Sequence, residues 1–162
     1  MITVHYDATG IDGGSLETMK FSAGEQFVKL KNAKSVEKIV WNYEGDEELM
    51  TLGLIYDIVK HNKSRVLLDM PYIPHARQDR ATHSTQPYSL KVFMKMFGQA
   101  IDGIYTYLNV VDPHSEVSMK LLQSCTNGII TVKEQHEFAQ LFVDRGYDYV
   151  VAPDKGAANK TL

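Results

Sequence analysis

The chain has 162 residues, 44% hydrophobic and 23% charged, with 17 Lys and Arg against 20 Asp and Glu for a net charge of −3. That composition excludes intrinsic disorder and fits one domain with a substantial buried core. The acidic balance argues against general nucleic-acid binding, so any anion site must be local.

In chain order, "ITVHYDA" (2–8) reads as a first strand, and "DATGIDGGS" after it is rich in turn formers. "EQFVKLK" (25–31) alternates apolar and polar residues as a half-buried strand does, and "VEKIVWNY" (36–43) is the next strand. The period then changes. In "GDEELMTLGLIYDIVKHNK" (45–63), Leu49, Leu52, Ile55, Tyr56 and Val59 share one helical face. Asp46 or a neighbour caps its start, with Glu47 and Glu48 at the positive end of the dipole and His61 and Lys63 at the negative end. From there, strand and helix alternate. "RVLLDM" precedes "SLKVFMKMFGQA", with Ser89 as the expected N-cap. "GIYTYLNVV" precedes "DPHSEVSMKLLQSC", "GIITV" precedes "KEQHEFAQLFVDRG", and "YDYVVAP" closes the series before "DKGAANKTL". The pattern predicts a single α/β domain over residues 1–162, with right-handed crossovers and a mainly parallel sheet covered by helices on both faces.

No apolar run reaches the roughly 18 residues of a membrane span. The start "MITVHYDATG" lacks the features of a signal peptide. Cys125, the single cysteine, excludes an internal disulfide and fits a reducing compartment, so a cytoplasmic location is expected. Late in its helix, Cys125 reads as a small buried apolar residue and not as a reactive thiol.

Sheets of this kind place ligands at the carboxyl ends of their strands. Three polar clusters lie at such ends: "YIPHARQDR" (72–80), "DPHS" (112–115) and "PDKGAANK" (153–160). In the first, Arg77 and Arg80 are forked donors suited to phosphate oxygens, and Gln78 both donates and accepts. A solvated loop held by pairing of either arginine with Asp79 is the alternative. In the second, Asp112 and His114 could hold Mg²⁺ directly or through water, or Asp112 or Ser115 simply caps the next helix. In the third, Gly156, Ala157 and Ala158 allow close backbone approach to a ligand beside Asp154, or form a surface turn. No Walker A loop, "GxGxxG" or nucleophile-elbow motif occurs.

In this order and spacing, the clusters resemble the N-terminal domain of ribose-phosphate pyrophosphokinase, the PRPP synthetase family, over nearly the whole chain. "PYIPHARQDR" resembles its PY-x-x-YARQDR segment, "QPYSLKVFMKMF" its P-I-S-A-K helix, "NVVDPHS" its T-V-D-L-H-A metal loop and "VAPDKGAANK" its S-P-D-x-G-G-x-x-R turn. "FSAGE" (21–25) is similar to the family's F-S-D-G-E, and "EELMTLGLIYDIVKHN" to its following helix.

The resemblance implies transfer of the diphosphoryl group of ATP to ribose 5-phosphate, giving PRPP for nucleotide biosynthesis. It assigns Arg77 and Gln78 to ATP, and Glu25 with Phe21 to an adenine pocket completed by a neighbouring subunit. It assigns Asp112, His114 and Asp154 to Mg²⁺. It further implies a homo-oligomer sharing ATP sites between subunits, with no nucleic-acid or membrane partner. Ala23 stands where the family has aspartate, His75 where it has tyrosine, and the family's basic continuation after ARQDR is thinned to "ATHSTQP". The family's second domain, with a catalytic lysine loop and an acidic ribose-phosphate loop, has no counterpart here. The chain alone is therefore expected to bind nucleotide weakly and to carry no catalytic residue. Two alternatives stand beside this reading: an enzyme that pyrophosphorylates another ribosyl acceptor such as ADP-ribose, and a non-catalytic module that associates with an active synthetase.

Overall fold

A computed structural model describes residues 1–6, 13–14 and 16–134, with Glu137, Tyr149 and Val151 as isolated positions. Asp154, the helix expected over "KEQHEFAQLFVDRG" (apart from its first residues) and the closing strand fall outside the described residues. Among those described, the strands are β1 (Ile2–His5), β2 (Gly13–Gly14), β3 (Leu16–Lys20), β4 (Gln26–Leu30), β5 (Lys38–Trp41), β6 (Arg65–Asp69), β7 (Tyr105–Val111) and β8 (Gly128–Lys133). The helices are α1 (Glu47–Lys60), α2 (Ser89–Ala100) and α3 (Glu116–Cys125).

The main sheet has the order β2-β1-β5-β6-β7-β8. Strands β5 to β8 run parallel, while β1 pairs antiparallel with β5 and with β2. The fold is therefore α/β with a mainly parallel sheet, and each parallel pair is joined through a helix. Strands β3 and β4 form a separate antiparallel hairpin. Strand β3 escapes sequence reading because all its residues except half-buried Leu16 are exposed, so it has no apolar alternation to detect.

Pairing fixes which residues share a face. Ile39 lies beside Leu68 and Leu68 beside Leu108, so these three project to the same side, with Trp41, Val66, Thr106 and Val110 two residues along. All of these are buried. The helices pack on this side. Trp41 stacks on Phe93 and Phe97 of α2, each ring centroid 6.2 Å away. Tyr56 of α1 lies fully buried with its hydroxyl 3.4 Å from Thr106 Oγ1. The five α1 residues expected on one face, Leu49, Leu52, Ile55, Tyr56 and Val59, are its buried ones. The opposite face carries Lys38, Asp69, Tyr105, Tyr107 and Ile129, with the last three exposed; the described helices cover one face rather than both.

Two expected caps are placed differently. Asp46 occupies the N-cap of α1 with helical backbone angles and makes no capping bond, because its carboxylate is engaged elsewhere. Ser89 is the first residue of α2, with Tyr88 at the N-cap. Among the described residues, no helix is long and apolar enough to cross a membrane.

Candidate functional site

The loop after β6 is built by burying one set of side chains and exposing another. Ile73, Pro74 and Ala76 are buried, whereas Arg77, Gln78 and Arg80 are exposed. The apolar residues anchor the loop in the core, and the cationic ones, too costly to desolvate, are left facing outward. Backbone bonds fold the turn: Ala76 N–H donates to Ile73 O at 3.3 Å and Gln78 N–H to His75 O at 2.9 Å. The Gln78 carbonyl accepts from Leu90 N–H at 3.4 Å, which supplies a partner for one of the unpaired donors in the first turn of α2.

Sheet pairing continues past the strand ends and aligns the neighbouring loop. Met70 N–H donates to Asn109 O at 2.9 Å, Val111 N–H to Pro71 O at 3.2 Å and Asp112 N–H to Lys133 O at 2.9 Å. These bonds hold the starts of the two loops side by side. As a result Arg77, Gln78, Asp79, Arg80, Thr82, Gln86, Pro87 and His114 line one cleft of about 550 Å³. The Arg77–Asp79 and Arg80–Asp79 pairings that would explain the loop structurally are not formed. Ion pairs among the described residues involve neither arginine. Two unneutralised guanidinium groups at the mouth of a polar cleft favour an anion carrying several oxygens.

In the second loop, capping falls to Ser115 and not to Asp112. Ser115 Oγ accepts from Ser118 N–H at 3.3 Å, and Ser118 Oγ accepts in return from Ser115 N–H at 3.3 Å. Asp112 adopts the left-handed conformation, with φ 39°, and turns the chain between β7 and His114. Asp112 itself does not line the cleft. Among the described residues, no group of three or more His, Cys, Asp or Glu side chains gathers into a metal cage. A carboxylate and an imidazole two residues apart are nonetheless a donor set compatible with Mg²⁺, which keeps waters and takes phosphate oxygens alongside few protein ligands.

Phe21 and Glu25 sit elsewhere. They flank the turn between β3 and β4, closed by Phe21 N–H to Glu25 O and Gly24 N–H to Phe21 O, both 2.8 Å, with Gly24 at φ 90°. Phe21 is half exposed and meets Phe27 edge-on at 6.2 Å. Neither residue lines the cleft of Arg77 and His114. The hairpin docks on α1 instead, through Thr51 Oγ1 donating to Gln26 Oε1 at 2.7 Å and through buried Val28.

Sequence reading passed over Thr82, Gln86 and Pro87 as cleft walls, since "ATHSTQP" carries no charge pattern to mark it. It also passed over what supports the loop from below. Asp46 Oδ1 accepts from Tyr43 Oη–H at 2.7 Å and lies 2.8 Å from His75 Nε2. The Tyr43 and His75 hydrogen bonds hold the Asp46 carboxyl below the usual range. Burial, reinforced by Asp46, pushes the Tyr43 phenol up to about 12.

Residues 5–100 match the family model described as the N-terminal domain of ribose phosphate pyrophosphokinase. The ribose-phosphate pyrophosphokinase of Pyrococcus furiosus is 31% identical over 150 residues, covering 90% of this chain and 51% of that protein. That of Pyrococcus abyssi is 29% identical over 150 residues, covering 90% and 50%. The phosphoribosylpyrophosphate synthetase structure from Mycobacterium smegmatis superposes with a TM-score of 0.60 at 17% identity, over 83% of this chain and 44% of that one, a likeness of fold. The chain thus spans about half the length of the curated relatives it matches. With the family model matching most of the chain, this protein belongs to the ribose-phosphate pyrophosphokinase family, in the part that forms its N-terminal domain.

Proposed function

We propose that the chain is the ATP- and Mg²⁺-binding N-terminal domain of a ribose-phosphate diphosphokinase, which transfers the diphosphoryl group of ATP to ribose 5-phosphate. The observation that carries this reading is the cleft in which Arg77, Gln78 and Arg80 meet His114 at adjoining strand ends. Arg77 and Arg80 grip triphosphate oxygens, and Gln78 hydrogen-bonds the nucleotide. Diphosphoryl transfer is mostly positioning plus neutralisation of charge on phosphate oxygens, the work such groups do well. Asp112 and His114, with Asp154, hold Mg²⁺, which when bound neutralises phosphate charge. Phe21 and Glu25, which do not line this cleft, contribute to an adenine pocket completed by a neighbouring subunit in a cytoplasmic homo-oligomer. The complete reaction requires a second domain to bind ribose 5-phosphate and supply a catalytic lysine.

The test is calorimetric titration with a non-hydrolysable ATP analogue, with and without Mg²⁺, on the chain and its Arg77→Ala variant. Binding that strengthens with Mg²⁺ and is lost in the variant is the expected result. Equal binding by the variant would overturn the assignment of the cleft.

A further inference from the structure

His75 combines three features. It is a non-glycine residue at φ 59°, a conformation strained for a residue that carries a β-carbon. Its carbonyl accepts the Gln78 N–H at 2.9 Å, so its backbone defines the turn that presents Arg77 and Gln78. Its ring packs 5.2 Å from Phe93 and 6.5 Å from Tyr43, with Nε2 2.8 Å from Asp46 Oδ1. Asp46 in turn leaves the N-cap of α1 uncapped by its side chain and accepts from Tyr43 Oη–H on the same oxygen. Asp46 therefore makes no capping bond, and His75 holds a strained backbone. Both are accounted for if the side-chain bond serves the loop.

We propose that the Tyr43–Asp46–His75 chain is a positioning latch: it locks His75 in the left-handed conformation and thereby sets the turn that aims Arg77 and Gln78 into the cleft. None of the three need touch the ligand through its side chain. Asp46 and His75 line an apolar recess with Leu49, Pro87, Val92 and Phe93, whose lining does not include Arg77, Gln78 or His114. The identity of the ligand rests on the triphosphate reading above; the geometry of the latch does not.

The test compares the chain with His75→Ala, Asp46→Asn, the double variant and His75→Gln. Hydrogen exchange of the Gln78 amide is followed without ligand, and affinity for a non-hydrolysable ATP analogue with Mg²⁺ is followed in parallel. Losing the His75 bond to an exposed carboxylate, or in Asp46→Asn the charge that strengthens it, corresponds to a change of a few fold. Gln78 exchange should therefore quicken, and analogue affinity fall, by about three- to fivefold in each single variant. The double variant should lose no more than either single one, as coupled residues do, and His75→Gln, which keeps a donor, should recover part of the loss. Unchanged Gln78 exchange in Asp46→Asn and His75→Ala would overturn the latch, as would strictly additive losses. If the unsubstituted chain binds no analogue while Gln78 exchange still responds, the latch stands and the triphosphate reading fails. Should His75→Ala not fold, Asp46→Asn and Tyr43→Phe carry the same comparison.

Discussion

Asp46 shows how tertiary contacts override the role that a side chain's sequence context offers. Before a helix it is a natural N-cap, yet Tyr43 and His75 compete for it and win. Its folded pKa lies below the ordinary value near 4, so it stabilises the fold above that pH and the contribution is lost as pH falls through the folded pKa. The side chain is 66% exposed, so solvent screening holds the effect below about 1 kcal/mol. Asp46→Asn should accordingly lower the denaturation midpoint slightly at neutral pH and leave it unchanged below the folded pKa, so that the acid limb of a plot of midpoint against pH is flattened. His114 offers a second prediction at this scale. His114→Ala should remove most of the Mg²⁺ enhancement of analogue binding while sparing the Mg²⁺-independent part, read by the same titration at two metal concentrations. That Arg77 and Gln78 line a cleft follows a cue visible in the sequence, cationic and polar groups straight after an apolar strand. The support from Tyr43 and Asp46 was not visible there, since it joins residues 29 or more positions from the loop through contacts that local pattern does not encode.

Among elements, α1 was the most legible because its apolar period is long and unbroken, and the buried set follows from it. Strand β3 was invisible because pairing with β4, not burial, holds it. The join between α2 and α3 rests on Gly98. A β-carbon there would stand 2.8 Å from Cys125 Cβ and 3.1 Å from Cys125 O, the latter a backbone atom that cannot swing aside. Gly98→Ala should therefore destabilise by about 1–3 kcal/mol, although alanine is the better helix former, as measured by urea denaturation. Cys125 itself is half-buried at the end of α3, with Sγ 3.3 Å from Leu122 O, and burial raises its thiol pKa. The expectation of a packing residue and not a reactive thiol holds. Ser115→Ala removes one side of the reciprocal cap on α3 and should cost about 1 kcal/mol in the same assay.

For the whole molecule, the exposed hairpin residues Met19, Phe21 and Phe27 do not line the cleft of Arg77 and His114. If Phe21 serves a neighbour's nucleotide, Phe21→Ala and Arg77→Ala chains should each bind the ATP analogue poorly. Mixed under conditions that exchange subunits, they should recover binding that neither has alone, since a mixed pair contains one intact site. Failure to recover in a sample shown by sedimentation to contain mixed oligomers would place Phe21 outside the site.

The sequence alone determined the alternation of strand and helix from β5 to β8, the buried face of α1 and the polar clusters that follow β6 and β7. Each of these is written in local period or local chemistry. Tertiary structure decided what those clusters become. Pairing of β6 with β7 brings His114 beside Arg77 across 37 residues of chain, and leaves both arginines without a carboxylate partner among the described residues. It decided between Asp112 and Ser115 as the cap of α3, in favour of Ser115, and drew Asp46 away from α1 toward His75. Such choices depend on which groups come within about 3 Å of one another, and only the packed sheet and helices set that distance.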